Sequence, residues 1–265
     1  MTLWNEGLVS IITPSYNAEK LIGRTIQSVL DQTFDNWEMI IVDDCSKDST
    51  RSVVAAYAEK DSRIRLVGLE KNNGAPAAPR NIGVQHASGD WIAFLDADDI
   101  WHPRKLELQL EALKSTRARF SCTQMVDFFD DKEIVFESVK TVPQQIVDFS
   151  QQRIKGRIPT SSVLLDKELI MEFPFNVDMR YKAVEDYHCW LRILSSETKC
   201  LKLNAPLLYY RRVVGQISGS KKYMLERMFM LHREYPGGSI LKATLYTLTH
   251  ALGGFYYRIL RALRI

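Results

Sequence analysis

The sequence predicts an α/β fold: a mostly parallel sheet flanked by helices, followed by a C-terminal helical tail. Three observations predict it. β-rich apolar runs alternate with segments of helical periodicity through the first 115 residues. Those runs are apolar throughout rather than at every second position, which belongs to parallel strands covered on both faces. Each run also ends in a polar cluster, "PSYN", "DDCS" or "DADD". In an open α/β sheet the ligand lies beyond the carboxyl ends of the strands, so clusters far apart in sequence converge on one site.

The first run, "LVSIIT" (8–13), leads into the loop "PSYNAE". From 19 to 32, Leu21, Ile22, Ile26, Val29 and Leu30 recur at helical spacing, with Asn17 as the expected N-cap. "WEMIIV" is the second strand, and Ser46 or Asp48 caps the helix that runs to Tyr57. "RIRLVG" is the third strand. The loop "EKNNGAPAAP" then leads to a short helix at 82–86, and "WIAFL" is the fourth strand. Beyond Ala112 the pattern is mixed. "RFSCTQMVDFFDD" and "IVFESV" read as β segments in a hairpin, 143–156 as loop or short helix, and "SSVLLD" as a strand. "VEDYHCWLRIL" is helical, with Tyr187, Trp190, Leu191 and Leu194 on one face; "KCLKL" and "PLLYYRR" are two further strands.

A chain of 265 residues holds one large α/β domain, or such a domain with a smaller appendage. Net charge is only +3, and no Lys/Arg stripe interleaved with aromatics crosses the first two-thirds, which speaks against nucleic acid. The start, "MTLWNEGLVSIITPSYN", has no basic n-region and no small-residue cleavage site, so no signal peptide is expected. No stretch reaches the length of a charge-free membrane span. Cys45, Cys122, Cys189 and Cys200 lack metal spacing and read as reduced, buried thiols. The expected location is cytoplasmic, with the inner face of the cytoplasmic membrane as the alternative.

The chemistry lies in the strand-end clusters. In "DADD", Asp96 and Asp98 are two residues apart, so an extended turn presents both carboxylates to one side. A small, incomplete set of hard oxygen ligands suits Mg²⁺ or Mn²⁺, which fills its shell with water and substrate phosphates. The plain structural alternative is a polar turn in which Asp99 caps the helix of "HPRKLELQL", with Pro103 early in it. "DDCS" places Asp43 and Asp44 where a carboxylate accepts a hydrogen bond from a nucleobase N–H. "PSYN" offers Tyr16 for stacking on a base. Arg80, in the loop before the fourth strand, suits a carboxylate of the site or a phosphate. Each has a bland reading alone: a half-buried aromatic, a surface ion pair. Together they describe a pocket for base, sugar and metal-bound diphosphate.

The stretches "VSIITPSYNAEKLIGRTIQSVLDQTFDNWEMIIVDDCSKDST" and "NNGAPAAPRNIGVQHASGDWIAFLDADDIWHPRKLE" strongly resemble the inverting family 2 glycosyltransferases with the GT-A fold, of the bacterial surface-polysaccharide type. The match covers about the first 115 residues and continues more weakly at "VEDYHCWLRI". The resemblance implies a nucleotide-sugar donor, most simply a UDP-sugar, and Mn²⁺ or Mg²⁺. It implies that Pro14 and Tyr16 border base and ribose, that Asp44 binds the base and that Arg80 supports the nucleotide. Asp96 and Ala97 join the nucleotide-sugar site, with Asp98 as the main metal ligand and Asp96 as the second. Asp186 is the catalytic base, with Glu185 next in line. One carboxylate to deprotonate the acceptor hydroxyl, facing an electrophile on the leaving diphosphate, is what a single in-line displacement needs. A charged first helical turn would explain the same Glu-Asp pair without catalysis.

The resemblance also divides the chain: residues 1–218 as the GT-A domain, with 1–115 the nucleotide-sugar half and 116–218 the acceptor half, and 219–265 as a C-terminal helical segment. Two departures stand out. In "YYRRVVGQIS", Val213 and Val214 occupy the place where the family often carries a metal-proximal His, and Arg211 or Arg212 is left as a diphosphate contact or a surface group. The Gln-x-x-Arg-Trp signature of processive synthases is absent, so one sugar per encounter is expected. From Tyr235 to Ile265 there is no acidic residue, and Arg258, Arg261 and Arg264 sit among aromatic and aliphatic residues. Such a tail suits an interfacial helix on anionic lipid, or a helix packed on the domain or a second subunit. The expected acceptor is a lipid-diphosphate-linked saccharide. A sugar nucleotidyltransferase needs a Gly-rich loop that "PSYNAEK" lacks, and a non-catalytic nucleotide-binding scaffold need not retain Asp98 and Asp186.

Overall fold

The computed structural model describes residues 7–139, 142–212 and 221–262, with the side chains of 221 and 253–262 outside the description. The chain runs β1 (Val9–Ser15), α1 (Ile22–Leu30), β2 (Trp37–Asp43), α2 (Thr50–Ala58), β3 (Ile64–Gly68), α3 (Ala77–His86), β4 (Trp91–Phe94) and β5 (Ile100–Trp101). It continues α4 (Lys105–Thr116), β6 (Phe120–Phe128), β7 (Gln144–Val147), α5 (Phe149–Ile154), β8 (Leu164–Asp166) and α6 (Lys167–Glu172). Then come α7 (Glu185–Ser195), β9 (Cys200–Arg211), α8 (Lys221–Glu234) and α9 (Ile240–Ala262). One sheet has the order β3-β2-β1-β4-β8-β6-β9-β5, with β7 also on β9. Strands β3, β2, β1 and β4 are parallel, as the apolar runs predict. The second half is mixed: β8 enters antiparallel between β4 and β6, while β6 and β9 are parallel.

Successive side chains of a strand point to opposite faces, and both faces of this sheet are covered. Ile12, Ile40, Val42, Ile92 and Phe94 pack under α3, α6 and α7, against Val84, Leu169 and Trp190. Val9, Ile11, Met39, Ile41 and Ala93 pack under α1, α2 and α4, against Ile22, Ile26, Val54 and Leu106. Each such side chain, fully buried, contributes about 1.5–3 kcal/mol. α3 lies so close to β1 that a Cβ on Gly83 would stand 2.4 Å from Ile12 Cγ2.

Several local expectations are corrected. Asn17 does not cap α1, which begins at Ile22; its backbone is left-handed (φ 50) and it bonds the neighbouring strand-end loop. The helix expected at 82–86 begins at Ala77, because Pro79 falls in the first turn, where a missing N–H costs nothing. Arg80 is therefore on a helix and not in a loop. Asp99 does not cap α4 but is fully buried, and the helix begins at Lys105, beyond Pro103. The hairpin of "IVFESV" on β6 does not form. β6 already has β8 and β9 as neighbours, and a capped turn at Asp130 leads the chain out of the sheet. Residues 143–156 hold β7 and α5, the helix opened by an Asp148 capping box. "KCLKL" and "PLLYYRR" are one strand, β9, with register shifts opposite Gln124.

α8 and α9 pack beside α7 and α5. Met228 and Leu231 of α8 join Val184, Tyr187 and Leu191 in a small core. His250 of α9 meets the Tyr187 hydroxyl at 3.0 Å. No helix of the described residues is long and apolar enough to cross a membrane. All four cysteines are free.

Candidate active site

The carboxyl ends of β1, β2 and β4 open into a cleft of about 640 Å³. Pro14, Tyr16, Asp44, Arg80, Asp96, Ala97 and Asp98 all line it, so seven residues singled out in the sequence come together. Tyr16 is half exposed, its ring available to a ligand. The loops carrying it and Asp44 are stitched together: Asn17 N–H donates to Ser46 Oγ at 2.9 Å, and Lys47 N–H to Asn17 Oδ1 at 2.8 Å. The two adjacent aspartates differ. Asp43 is buried and held by Arg51 and the Ser46 N–H, which makes it structural. Asp44 faces the cleft, oriented by the Asn73 side-chain amide at 2.6 Å and backbone N–H at 3.0 Å.

The "DADD" loop resolves its own repulsion. Asp99 is buried; Arg211 N–H donates to its Oδ1 at 3.0 Å, while Oδ2 has no partner. Burial, and then the charges of Asp98 and Asp96, push its carboxyl well above the usual carboxylate range. With Asp99 buried behind the loop, Asp96 and Asp98 are the two carboxylates of the loop that line the cleft. Arg211 braces the loop further, donating from Nε to the Asp98 carbonyl at 2.9 Å and from Nη2 to Asp131 at 2.6 Å. Arg212 pairs with Asp127 at 3.0 Å. Neither arginine lines the cleft.

Arg80 is the centre of the arrangement. It is buried, with Nη2 donating to Asp96 at 2.7 Å and Nη1 to Glu185 at 3.4 Å. Burial opposes its charge, and Asp96, Glu185 and Asp186 more than reverse that, raising its pKa. Glu185 fares worse, since its long contact with Arg80 does not restore the hydration it loses. Burial first, then the charge of Asp186, push Glu185 up to about 7 against the pull of Arg80. Asp186 follows it in the first turn of α7. Thr160 Oγ1 donates to Asp186 Oδ2 at 2.7 Å, and the Tyr187 N–H to Oδ1 at 2.6 Å. Neither Asp186 nor Glu185 lines the cleft; Glu185 is joined to it through Arg80.

Lys182 also lines the cleft and was not singled out from sequence. It lies in "MRYKAVED", three residues before Glu185, with Ala183 between them in a left-handed conformation (φ 72). Non-glycine residues held there cost about 1–3 kcal/mol and cluster at functional sites. A lone lysine in a loop carries no motif; the only signal was its closeness to the Glu-Asp pair.

Among the described residues no group of three His, Cys, Asp or Glu side chains is arranged to hold a metal by itself. The donor set present, Asp98 with Asp96 beside it, fits a cation that takes one or two carboxylates and completes its shell with water and substrate phosphates. Val213 and Val214 lie outside the described residues.

The description "Glycosyl transferase family 2" matches residues 10–173. The Escherichia coli protein named UDP-Glc:alpha-D-GlcNAc-diphosphoundecaprenol beta-1,3-glucosyltransferase WfgD is 38% identical over 224 residues, 84% of each chain. A Bacillus subtilis protein provisionally named teichuronic acid biosynthesis glycosyltransferase TuaG is 37% identical over 247 residues, 92% of this chain and 94% of its own. Among solved structures, S. aureus TarS 1-349 in complex with UDP superposes with a TM-score of 0.66 at 24% identity, over 84% of this chain and 64% of that one. A Pyrobaculum calidifontis mannosyltransferase, PcManGT, in complex with GDP-Man and Mn2+, does so at 0.65 and 18%, over 90% of this chain and 69% of its own. With the family's span of the chain and relatives this similar over most of their length, the chain belongs to glycosyl transferase family 2 and has the GT-A fold.

Proposed function

We propose that this glycosyltransferase moves one hexose or N-acetylhexosamine from a UDP-sugar to a hydroxyl of a lipid-diphosphate-linked saccharide, with inversion, in surface polysaccharide biosynthesis. One observation carries the reading: buried Arg80 joins Asp96 of the donor loop to Glu185 of the helix that bears Asp186. The two halves of the chemistry thereby share one site. The names of the relatives, which include a diphosphoundecaprenol-linked acceptor and a UDP-glucose donor, support the substrate classes. Tyr16 and Pro14 flank the base and ribose, and Asp44 accepts from the base. Asp98, with Asp96, holds Mn²⁺ or Mg²⁺, which supplies charge neutralisation at the departing diphosphate. Lys182, on the wall of the cleft, offers a positive charge to the diphosphate. Asp186, pre-oriented by Thr160, takes the acceptor proton, and Glu185 holds Arg80 in register behind it. We assign residues 1–218 to catalysis, donor half before 116 and acceptor half after it. Residues 219–265 are assigned to contact with an anionic membrane surface at the cytoplasmic side.

Thermal unfolding with UDP, GDP and dTDP, each with and without Mn²⁺, tests the donor assignment. A ligand that binds only the folded state raises the midpoint as its concentration exceeds Kd. The expected result is a Mn²⁺-dependent rise with UDP that Asp98→Ala abolishes. An equal rise in the Asp98→Ala protein would overturn the metal assignment, and a rise with GDP alone would move the donor class.

A further inference from the structure

The short turn Thr160–Ser162, just before β8, lies between the "DADD" loop and α7, and all three of its residues are buried. It is one turn of 3₁₀ helix, closed by the Ser162 N–H on the Pro159 carbonyl at 3.0 Å and the Val163 N–H on the Thr160 carbonyl at 3.0 Å. With about three residues per turn, its successive side chains point roughly 120° apart. The three hydroxyls therefore meet three different neighbours. Thr160 Oγ1 donates to Asp186 Oδ2 at 2.7 Å. Ser161 Oγ accepts from the Asp96 N–H, just past the end of β4, at 3.1 Å. Ser162 Oγ accepts from the Thr123 N–H of β6 at 3.1 Å and donates to the Pro159 carbonyl at 2.7 Å. Two indoles, which can only donate, fix the turn and the direction of its bonds. Trp101 Nε1 donates to the Ser161 carbonyl at 2.7 Å, so β5, at the exit of the "DADD" loop, holds the turn by its backbone. Trp190 Nε1, on α7, donates to Thr160 Oγ1 at 3.4 Å, which leaves the hydroxyl hydrogen for Asp186. From α4, Gln109 Nε2 donates to the Ser162 carbonyl at 3.1 Å.

We propose that Ser161 is a positioning residue for the "DADD" loop, and that the single peptide joining it to Thr160 sets the spacing between that loop and Asp186. The inference rests on the roles given above to Asp186, Asp98 and Asp96, and adds the part that places them relative to one another. Arg80 already links Asp96 to α7 through its side chain and that of Glu185. The turn links the same two elements through backbone, so a shift of one drags the other. Alanine at 161 would leave the Asp96 N–H without its acceptor and the start of the loop unpinned, and a donor stripped of its partner costs more than the bond itself contributes. Adjacent residues thereby carry different duties: 161 acts on donor binding through Asp96, and 160 on turnover through Asp186. Ser162, bonded only to β6 and its own turn, serves neither.

Substitutions along the turn test this in the full chain. Ser161→Ala should weaken UDP about tenfold in calorimetry with Mn²⁺ and leave UDP without Mn²⁺ within about twofold. Ser161→Cys, which keeps a weak acceptor, should fall between alanine and wild type and serves if alanine prevents folding. Thr160→Val should leave both UDP affinities and the donor KM unchanged and lower kcat by about tenfold or more. Turnover is read with UDP-glucose and a short-chain lipid diphosphate of N-acetylglucosamine, and Thr160→Ser, which keeps the hydroxyl, should restore it. Ser162→Ala should lower the melting temperature and change neither kcat nor UDP affinity. A Ser161→Ala protein that binds UDP with Mn²⁺ as wild type does, or that loses the metal-free affinity by the same factor, overturns the proposal. So does the same pattern in Ser162→Ala, which would make the turn a support and nothing more. Either result leaves the transferase reading standing in a wild type that transfers. A wild type that neither binds UDP nor transfers overturns both.

Discussion

Glu185→Gln isolates the energetic cost of the site. Glu185 is buried, with one oxygen 3.4 Å from Arg80 and the other without a partner. Its carboxyl is pushed up to about 7 from an ordinary 4.5, by burial and then by Asp186. The folded protein thus holds this proton more tightly than the unfolded chain does. The associated stability is fully present below the unfolded value and is lost as pH rises through about 7. At 1.36 kcal/mol per unit, the loss between about pH 5 and about pH 8 is roughly 2–3 kcal/mol. Glutamine keeps the shape and the contact with Arg80 but does not titrate. Urea unfolding of both proteins across that range should show the variant gaining on the wild type by that amount, mostly between about pH 5 and pH 7. Parallel pH profiles would refute the claim that Glu185 is held desolvated between Arg80 and Asp186.

Other substitutions separate the remaining roles. Asp186→Asn should keep the UDP-dependent thermal shift and lower kcat by about 10²–10⁴-fold, measured as sugar release from donor to acceptor; near-wild-type turnover would move the base elsewhere. Lys182→Ala should weaken UDP by about 1–2 kcal/mol in calorimetry and leave uridine unchanged, the proposed contact being with the diphosphate. Equal weakening of both would place Lys182 on the base side. Gly83→Ala, which would raise intrinsic helix propensity, should instead destabilise by about 1–3 kcal/mol in urea because of Ile12. A stabilised protein would mean that α3 moves freely off β1.

The first 115 residues were legible because their physics is local. Parallel strands buried on both faces read as unbroken apolar runs, and every polar break between them is a strand end. Seven of the residues chosen from those breaks line one cleft. The later strands were less legible because their pairing is non-local. β8 lies between β4 and β6, strands that precede it by many residues, and nothing in "SSVLLD" announces those neighbours. Prolines misled in one place: Pro79 looks like a breaker, yet the first turn of α3 tolerates it and puts Arg80 on a rigid element. The cap offered for Asp99 as the plain structural alternative rests on aspartate standing before an amphipathic helix; its burial and its bond from the Arg211 N–H are contacts 112 residues apart that no local pattern carries. Lys182 lacked any pattern, since its place in the cleft comes from the loop before α7.

The brace on the donor loop also orders events during synthesis. Arg211 clasps Asp98 and Asp99 from 113 and 112 residues further along the chain. The strand that bears it, β9, pairs with β5 at the loop's own exit. While a ribosome is still making the second half, the acidic turn has Arg80 beside Asp96 but lacks the Arg211 clasp. A nascent chain can therefore gather the strand ends that line the cleft before the "DADD" turn is clasped and before α7 exists. The clasp closes on the loop with β9, the last strand of the described residues.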